Sequence, residues 1–202
     1  YKAVFNNSSS TTFTTFGFEC FRTTRTSNDY LVAVSIPSTV TTLGYSCFRQ
    51  QKLLSVYIPK SVSTFVHSTN YVATFYDSEL YQCVLESGGT HNTLNYGGEH
   101  SSILNGCSNL RAVIMHPNIT HLSGRVCMNC TKLQLVNIFQ KNAVTELNHV
   151  GYINHFRSCT SLTEVHTFTN NFASLSTSSR GIFQECSGLK RIYVYNNHSM
   201  QD

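Results

Sequence analysis

Thr12-Phe-Thr-Thr-Phe-Gly-Phe-Glu-Cys-Phe-Arg22 returns 27 residues later as Thr39-Val-Thr-Thr-Leu-Gly-Tyr-Ser-Cys-Phe-Arg49, with seven of eleven positions identical. Most of the exchanges swap one apolar residue for another. Self-similarity at such a period marks stacked supersecondary units, none of which can bury its apolar face alone. The whole chain of 202 residues is therefore read as an array.

A second signature, Cys-x-x-Leu-x-x-Val-x-Ile, carries the repeat onwards. Its clearest copies are Cys107-x-x-Leu110-x-x-Val113-x-Met115, Cys130-x-x-Leu133-x-x-Val136-x-Ile138, Cys159-x-x-Leu162-x-x-Val165 and Cys186-x-x-Leu189-x-x-Ile192-x-Val194. Leu31-x-x-Val34-x-Ile36-Pro37 and Leu53-x-x-Val56-x-Ile58-Pro59 keep the frame without cysteine, Leu80-x-x-Cys83-x-Leu85 is weaker, and Tyr1-x-x-Val4 opens inside a unit. Aligned on the leucine, the cysteine-equivalent positions are Asn28, Gln50, Asp77, Cys107, Cys130, Cys159 and Cys186. Their mean spacing is about 26 residues, inside the leucine-rich range of about 20–29.

Val-x-Ile alternates with period two, as a short strand with one buried face requires. Strands centred on Val4, Val34, Val56, Cys83, Val113, Val136, Val165 and Ile192 would stack into one parallel sheet at about 4.8 Å. Pro37 and Pro59 cannot donate to a ladder and mark where the strand stops. Apolar residues follow at Val40, Val62, Ile119 and Val144, and again at Leu43, Phe65, Leu122 and Leu147. Three residues before the next cysteine position stand Cys47, Leu104, Cys127, Phe156 and Phe183. The Ser, Thr, Asn and Gly between them suit turns or a single helical turn.

This pattern resembles the BspA-like, bacterial-surface-antigen class of leucine-rich repeats, whose unit runs Phe-x-x-Cys-x-x-Leu-x-x-Val-x-Ile-Pro-x-Ser-Val-x-x-Ile-Gly. Close matches are Cys47 to Val62, Ile36 to Gly44, Phe183 to Ile192 and Phe156 to Leu162. The departures are few prolines, uneven steps and three frames without cysteine. The resemblance implies a non-catalytic recognition or adhesion role. The fold expected is a right-handed leucine-rich solenoid with one parallel sheet and turns, 3-10 or helical return segments, forming a single domain over residues 1–202. Residues 66–103 are its expected irregular part, with a loop projecting at 86–100.

Composition agrees with an elongated domain. A solenoid grows in one dimension and needs no central core. Charged residues make up 12% of the chain, against about 25% in average soluble domains. The net charge of +4 is small, and no Lys/Arg stripe leaves the footprint of nucleic-acid binding. Abundant hydroxyl, amide and aromatic groups suit an extracellular or virion-surface location. No apolar stretch approaches the length of a membrane span. There is no secretory signal or initiator Met, and the strands near Val4 and Val194 carry no polar caps. Neighbouring subunits or domains are therefore expected at the two ends.

The eight cysteines recur at repeat positions, which favours buried free thiols, some donating to carbonyls, over a disulfide framework. Cys47, Cys107, Cys130, Cys159 and Cys186 are expected to be reduced, buried and unligated. Cys20, Cys47 and Cys127 read as a second shared position, and Cys127-x-x-Cys130 is a lone pair that makes a poor zinc site. The Gly-Gly-x-His elements ending at His91 and His100, with Glu99, read as an exposed loop rather than a metal centre. No nucleophile elbow, phosphate loop or His-Glu-x-x-His occurs, and no carboxylate pair can be nominated. An enzyme is not expected, and neither a cofactor nor a metal is implied. Sequons stand at Asn6, Asn7, Asn118, Asn129 and Asn197, and Asn129, between two core cysteines, is expected to be poorly accessible.

If the protein is a binder, the outward side chains of the strands are the site. They are Ala33 and Ser35, Ser55 and Tyr57, Ala112 and Ile114, Leu135 and Asn137, Glu164 and His166, Arg191 and Tyr193. Tyr57, Ile114, Leu135, Asn137, Glu164, His166, Arg191 and Tyr193 are the candidate contacts, because Tyr and Arg are enriched among hot spots and exposed Ile and Leu form a patch. Two function classes stand. One is an extracellular adhesion module for a surface protein or glycan. The other is a structural or decorating subunit, for instance of a virus particle.

Overall fold

The computed structural model describes residues 2–4, 13–24, 30–66, 74–85, 93–94, 103–115, 121–122, 125–138, 154–167 and 181–194. Period-two alternation becomes a run of short strands. Those at the Val-x-Ile position are β1 (Lys2–Val4), β3 (Ala33–Ser35), β5 (Ser55–Ile58), β7 (Gln82–Leu85), β9 (Ala112–Met115), β11 (Leu135–Ile138), β12 (Glu164–Thr167) and β13 (Arg191–Val194). A parallel six-stranded sheet runs from β5 through β7, β9, β11 and β12 to β13. β1 pairs with β3, and Leu54 N donates to Val32 O (3.3 Å) where β3 meets β5. All eight expected strands are present, with one slip: Ala3, not Val4, pairs with Val34.

The return path forms strands of its own. β2 (Thr15–Phe16), β4 (Thr42–Leu43) and β6 (Thr64–Phe65) make a second parallel sheet, and β8 (Thr93–Leu94) pairs with β10 (His121–Leu122). Between the two series the chain turns, as where Val40 N donates to Pro37 O (3.0 Å) and Val62 N to Pro59 O (3.1 Å). Among the described residues the return segments contain turns and no helix. The stretch 66–103 keeps the frame through β7 and β8, and the rest of the 86–100 loop, with His91, Glu99 and His100, lies outside the described residues. So do Asn28, Ile119, Val144 and Leu147.

The core lies between the two series. Leu53, Leu80, Leu110, Leu133 and Leu162 are fully buried, as are Cys83, Val113 and Val136, and Phe16 and Leu43 close it from the return side. The outermost described strand departs from this pattern. Ile192 is 44% exposed, and Leu189, Phe183 and Cys186 are only partly buried, because no described strand pairs beyond β13.

Phe21 N donates to Cys47 O, Phe48 N to Thr74 O, Phe75 N to Ile103 O, Leu104 N to Val126 O, Cys127 N to His155 O and Phe156 N to Ile182 O. One slot therefore holds Phe21, Phe48, Phe75, Leu104, Cys127, Phe156 and Phe183. This corrects the reading that grouped Cys20, Cys47 and Cys127: Cys127 shares the slot of Phe48, and Cys47 that of His155.

Three residues further on, each unit from Phe48's onwards donates a side-chain hydrogen bond to this slot's carbonyl in the preceding unit. Cys107 Sγ donates to Phe75 O (3.0 Å), Cys130 Sγ to Leu104 O (3.1 Å), Cys159 Sγ to Cys127 O (3.1 Å) and Cys186 Sγ to Phe156 O (2.8 Å). In two other units the donors are Ser78 Oγ, to Phe48 O (2.5 Å), and Gln51 Nε2, to Phe21 O. The cysteine-equivalent residues are thus Gln51 and Ser78, not Gln50 and Asp77. These two units are one residue shorter between donor and core leucine, so alignment on the leucine shifted the frame. Gln50 and Asp77 instead take the left-handed corner that precedes each donor, with Gly106, Asn129, Ser158 and Glu185 (φ +58° to +75°). Of these six only Gly106 adopts it without steric cost.

All eight cysteines are free. Six are fully buried, whereas Cys20 is exposed and Cys186, expected to be buried, is only partly buried for the same reason as Ile192. Asn129 is exposed on its corner, contrary to expectation.

The glycine of the repeat signature has a close-packing role at one position. A Cβ on Gly44 would stand 2.5 Å from both C and O of Gly17 and 2.6 Å from Phe18 N, while one on Gly17 meets nothing within 4 Å. Gly44→Ala is expected to destabilise by about 1–3 kcal/mol, since backbone must yield. Gly17→Ala should stay within about 0.5 kcal/mol of the parent. Urea midpoints check the pair, and equal losses would mean that the corner does not pack this way.

Candidate functional site

Because side chains alternate along a strand and the strands pair in register, every second residue of the main sheet falls into a column on the outer face. One column is Ser55, Gln82, Ala112, Leu135, Glu164 and Arg191, and the next is Tyr57, Val84, Ile114, Asn137, His166 and Tyr193. All eight candidate contacts stand in these two columns. Gln82 and Val84 belong with them and were not read from sequence, because the weak Leu80-x-x-Cys83-x-Leu85 frame hid the outward partners of β7.

The face changes character along its length. Tyr57 is 50% exposed and Leu135 39%, and between them Val84 and Ile114 are half-buried. Over β12 and β13 the groups are charged and linked. Arg191 Nη2 donates to Glu164 Oε1. His166 Nε2 stands 3.5 Å from Glu164 Oε2. The rings of His166 and Tyr193 stack, with centroids 4.8 Å apart. Glu164 thus holds two cation-capable neighbours, and Tyr193 is braced flat against His166. Such an arrangement presents a planar aromatic surface and a guanidinium at fixed positions, which suits binding.

Among the described residues no group of three His, Cys, Asp or Glu side chains is disposed to hold a metal ion. The paired thiols of the Cys127-x-x-Cys130 segment are both fully buried, and Cys130 donates its proton to Leu104 O. Burial pushes the Cys107 and Cys130 thiols well above their ordinary range, so they stay protonated and act as hydrogen-bond donors rather than thiolate ligands. Among the described residues no helix is long and apolar enough to cross a membrane.

The chain matches the family model of the BspA-type leucine-rich repeat region, in six copies over residues 3–71 and 64–149. A comparison with curated proteins finds no match. Among solved structures the chain is similar to a leucine-rich repeat protein from Eubacterium ventriosum, at 23% identity with a TM-score of 0.50. That likeness covers 85% of this chain and 40% of the other, and it concerns the fold. A leucine-rich repeat protein from Bacteroides ovatus is similar at 18% identity, with a TM-score of 0.49 over 85% of this chain and 42% of that one. The chain therefore spans less than half the length of either protein.

Proposed function

The chain belongs to the BspA-type leucine-rich repeat family, and on that premise we propose that the outer face of its main sheet is a recognition surface. The partner is a protein or a glycan, and the setting is extracellular, at a cell surface. Proteins of this family are generally non-catalytic, and no step of bond chemistry enters the reading. The observation that carries it is the pair of unbroken outward columns, which hold an exposed Tyr57 and Leu135 at one part and the Glu164–Arg191 and His166–Tyr193 contacts at another. Solenoids bind through extended repeated surfaces of this kind, and Tyr and Arg dominate the energetics of such contacts.

A second reading, a structural subunit docked on neighbours, draws its support from β13, the outermost described strand of its sheet, with Ile192 44% exposed.

Replacing Tyr57, His166, Arg191 and Tyr193 together by Ala is the test. Retention on a panel of immobilised matrix proteins and glycans should fall at least about tenfold, or 1.4 kcal/mol. The thermal transition should move little, since none of the four belongs to the buried core. Capture that survives the fourfold variant would remove the sheet face from consideration.

A further inference from the structure

A rim runs along the N-terminal ends of the main-sheet strands. One residue ahead of each strand it carries Leu54, Tyr81, Arg111, Gln134, Thr163 and Lys190. Backbone bonds tie this column together: Tyr81 N to Leu54 O (3.0 Å), Arg111 N to Tyr81 O (2.9 Å), Gln134 N to Arg111 O (2.9 Å) and Lys190 N to Thr163 O (3.0 Å). Three residues ahead of β5 and β11 stand Lys52 and Lys132.

Lys52, Arg111, Lys132 and Lys190 are all exposed. Their contacts are with neutral groups. The Lys52 ammonium lies over the Tyr30 ring (4.3 Å), the Arg111 guanidinium over Tyr81 (6.0 Å), and Lys132 Nζ donates to Asn109 Oδ1 (2.8 Å). Among the described residues no carboxylate pairs with any of the four. Arg191 adds a fifth cation, engaged by Glu164, and Glu79 is the one carboxylate set into the rim itself. The corner ahead of the donor residues carries cations of its own. There Arg22 pairs with Glu19 (2.6 Å) and Arg157 with Glu185 (2.9 Å), while Arg49 lies over the Tyr76 ring (5.3 Å).

We propose that this rim binds a linear acidic polysaccharide laid across the strand ends, along the stack. The cations from Lys52 to Lys190 span five strand spacings, roughly 24 Å, which is the reach of a short oligosaccharide. Uncompensated charge on an ordered row attracts a polyanion whose own charges recur along a line. The groups between the cations suit sugar. Tyr81 on the rim and Tyr57 on the adjoining outer face of β5 expose rings (42% and 50%) that suit the apolar face of a pyranose. Gln82, Asn109, Gln134 and Thr163 offer amides and a hydroxyl to its alcohols. An extended peptide would instead add to a sheet edge through main-chain bonds, and along this rim the backbone groups already bond from unit to unit. The proposal rests on the sheet-face reading above, because the ligand would lie against that face.

The test measures binding of the purified chain to immobilised hyaluronan. The parent should bind, with affinity falling as salt rises. The triple variant Lys52→Gln, Arg111→Gln, Lys132→Gln should bind at least about tenfold more weakly. An equal change of net charge at Arg22→Gln, Lys60→Gln, Arg157→Gln should alter affinity less than about twofold. Urea midpoints of both triples, expected close to the parent, separate loss of binding from loss of fold. Equal weakening by the two triples would reduce the effect to net charge and overturn the proposal. So would failure to bind, or competition by poly-glutamate as effective as by hyaluronan, which would assign the rim to acidic polypeptides. Failure to bind hyaluronan, with the Tyr57, His166, Arg191 and Tyr193 variant still losing its captured partner, would refute the rim and leave the sheet face standing.

Discussion

Raising the pH from 7 to 10 is expected to lower the stability of this chain by several kcal/mol. Cys47, Cys83, Cys107, Cys127, Cys130 and Cys159 are fully buried, and all six thiols are held above their ordinary value of 9.0. Burial is the leading cause at five of them. At Cys159 the side-chain hydrogen bond with Cys186 leads and burial follows. The value for Cys83 is about 12. An acid whose folded value is raised stays protonated in the native state while the unfolded chain releases the proton. The contribution is therefore complete below pH 9 and is lost as pH climbs towards the folded values. One unit above 9, a thiol held at about 12, as that of Cys83 is, costs about 1.4 kcal/mol. The other buried thiols add in the same direction, and at Cys159 the rise is offset by the lowering of its hydrogen-bonded partner Cys186. Urea unfolding at several pH values under reducing conditions reads the effect directly. A midpoint that stays level to pH 10 would sink it. Cys83→Val, in a column flanked by Val56 and Val113, should recover about 1.4 kcal/mol of the loss at pH 10.

Phe48→Ala should cost about 3–5 kcal/mol at neutral pH. The ring is fully buried and lies nearly parallel to Phe21 at 5.2 Å and to Phe75 at 5.1 Å. Phe16 meets it edge-on at 5.7 Å. Truncation removes three ring pairs, each worth about 0.5–1.5 kcal/mol beyond area. It also opens a void on the boundary between neighbouring units, where a solenoid's cooperativity resides. Phe48→Leu also gives up the ring pairs but keeps most of the volume filled, as Leu104 does in the same slot, and should lose less than the Ala variant, about 1.5–3 kcal/mol. Denaturant titration of both variants gives the answer: a Leu loss close to the Ala loss would assign the cost to the ring contacts, and a Leu loss near zero would show that the stacked rings contribute little.

Most of the fold was legible because period and alternation are written in one residue type per position. Leu110, Leu133 and Leu162 announce the core, and Val113, Val136 and Val165 the sheet, without any help from distant contacts. The errors came where physics acts on the backbone rather than on side-chain type. Gln51 and Ser78 were missed because the donor slot asks only for a group that reaches a carbonyl, and Gln, Ser and Cys share no hydrophobic signature. Gln50 and Asp77 were misplaced because one residue is missing from a turn, and turn length leaves no mark on the apolar spacing. Ile192 reads as core by pattern, yet burial needs a neighbour on both sides, which no local sequence guarantees.

The outward columns followed from alternation alone wherever the inward residues were clear, and β7, with Cys83 in place of Val, hid Gln82 and Val84. The N-terminal rim was invisible in sequence for a different reason. Lys52, Arg111, Lys132 and Lys190 lie far apart in the chain at two different offsets from their strands, and only stacking brings them into one row.

The donor slot has a consequence for how such a chain changes length. Every bond of that series points the same way, from a unit to the carbonyl of the one before it, and the receiving group is main chain that every residue possesses. A copied unit placed between two others would arrive with its own donor and offer its own acceptor, leaving no orphan on either side. The exchange of Cys for Ser or Gln at that point is equally neutral to the junction. Growth by duplication, followed by drift of the exposed columns, is therefore built into the stereochemistry of the joint. The number of units can vary between descendants of one array while the geometry of each junction is inherited intact.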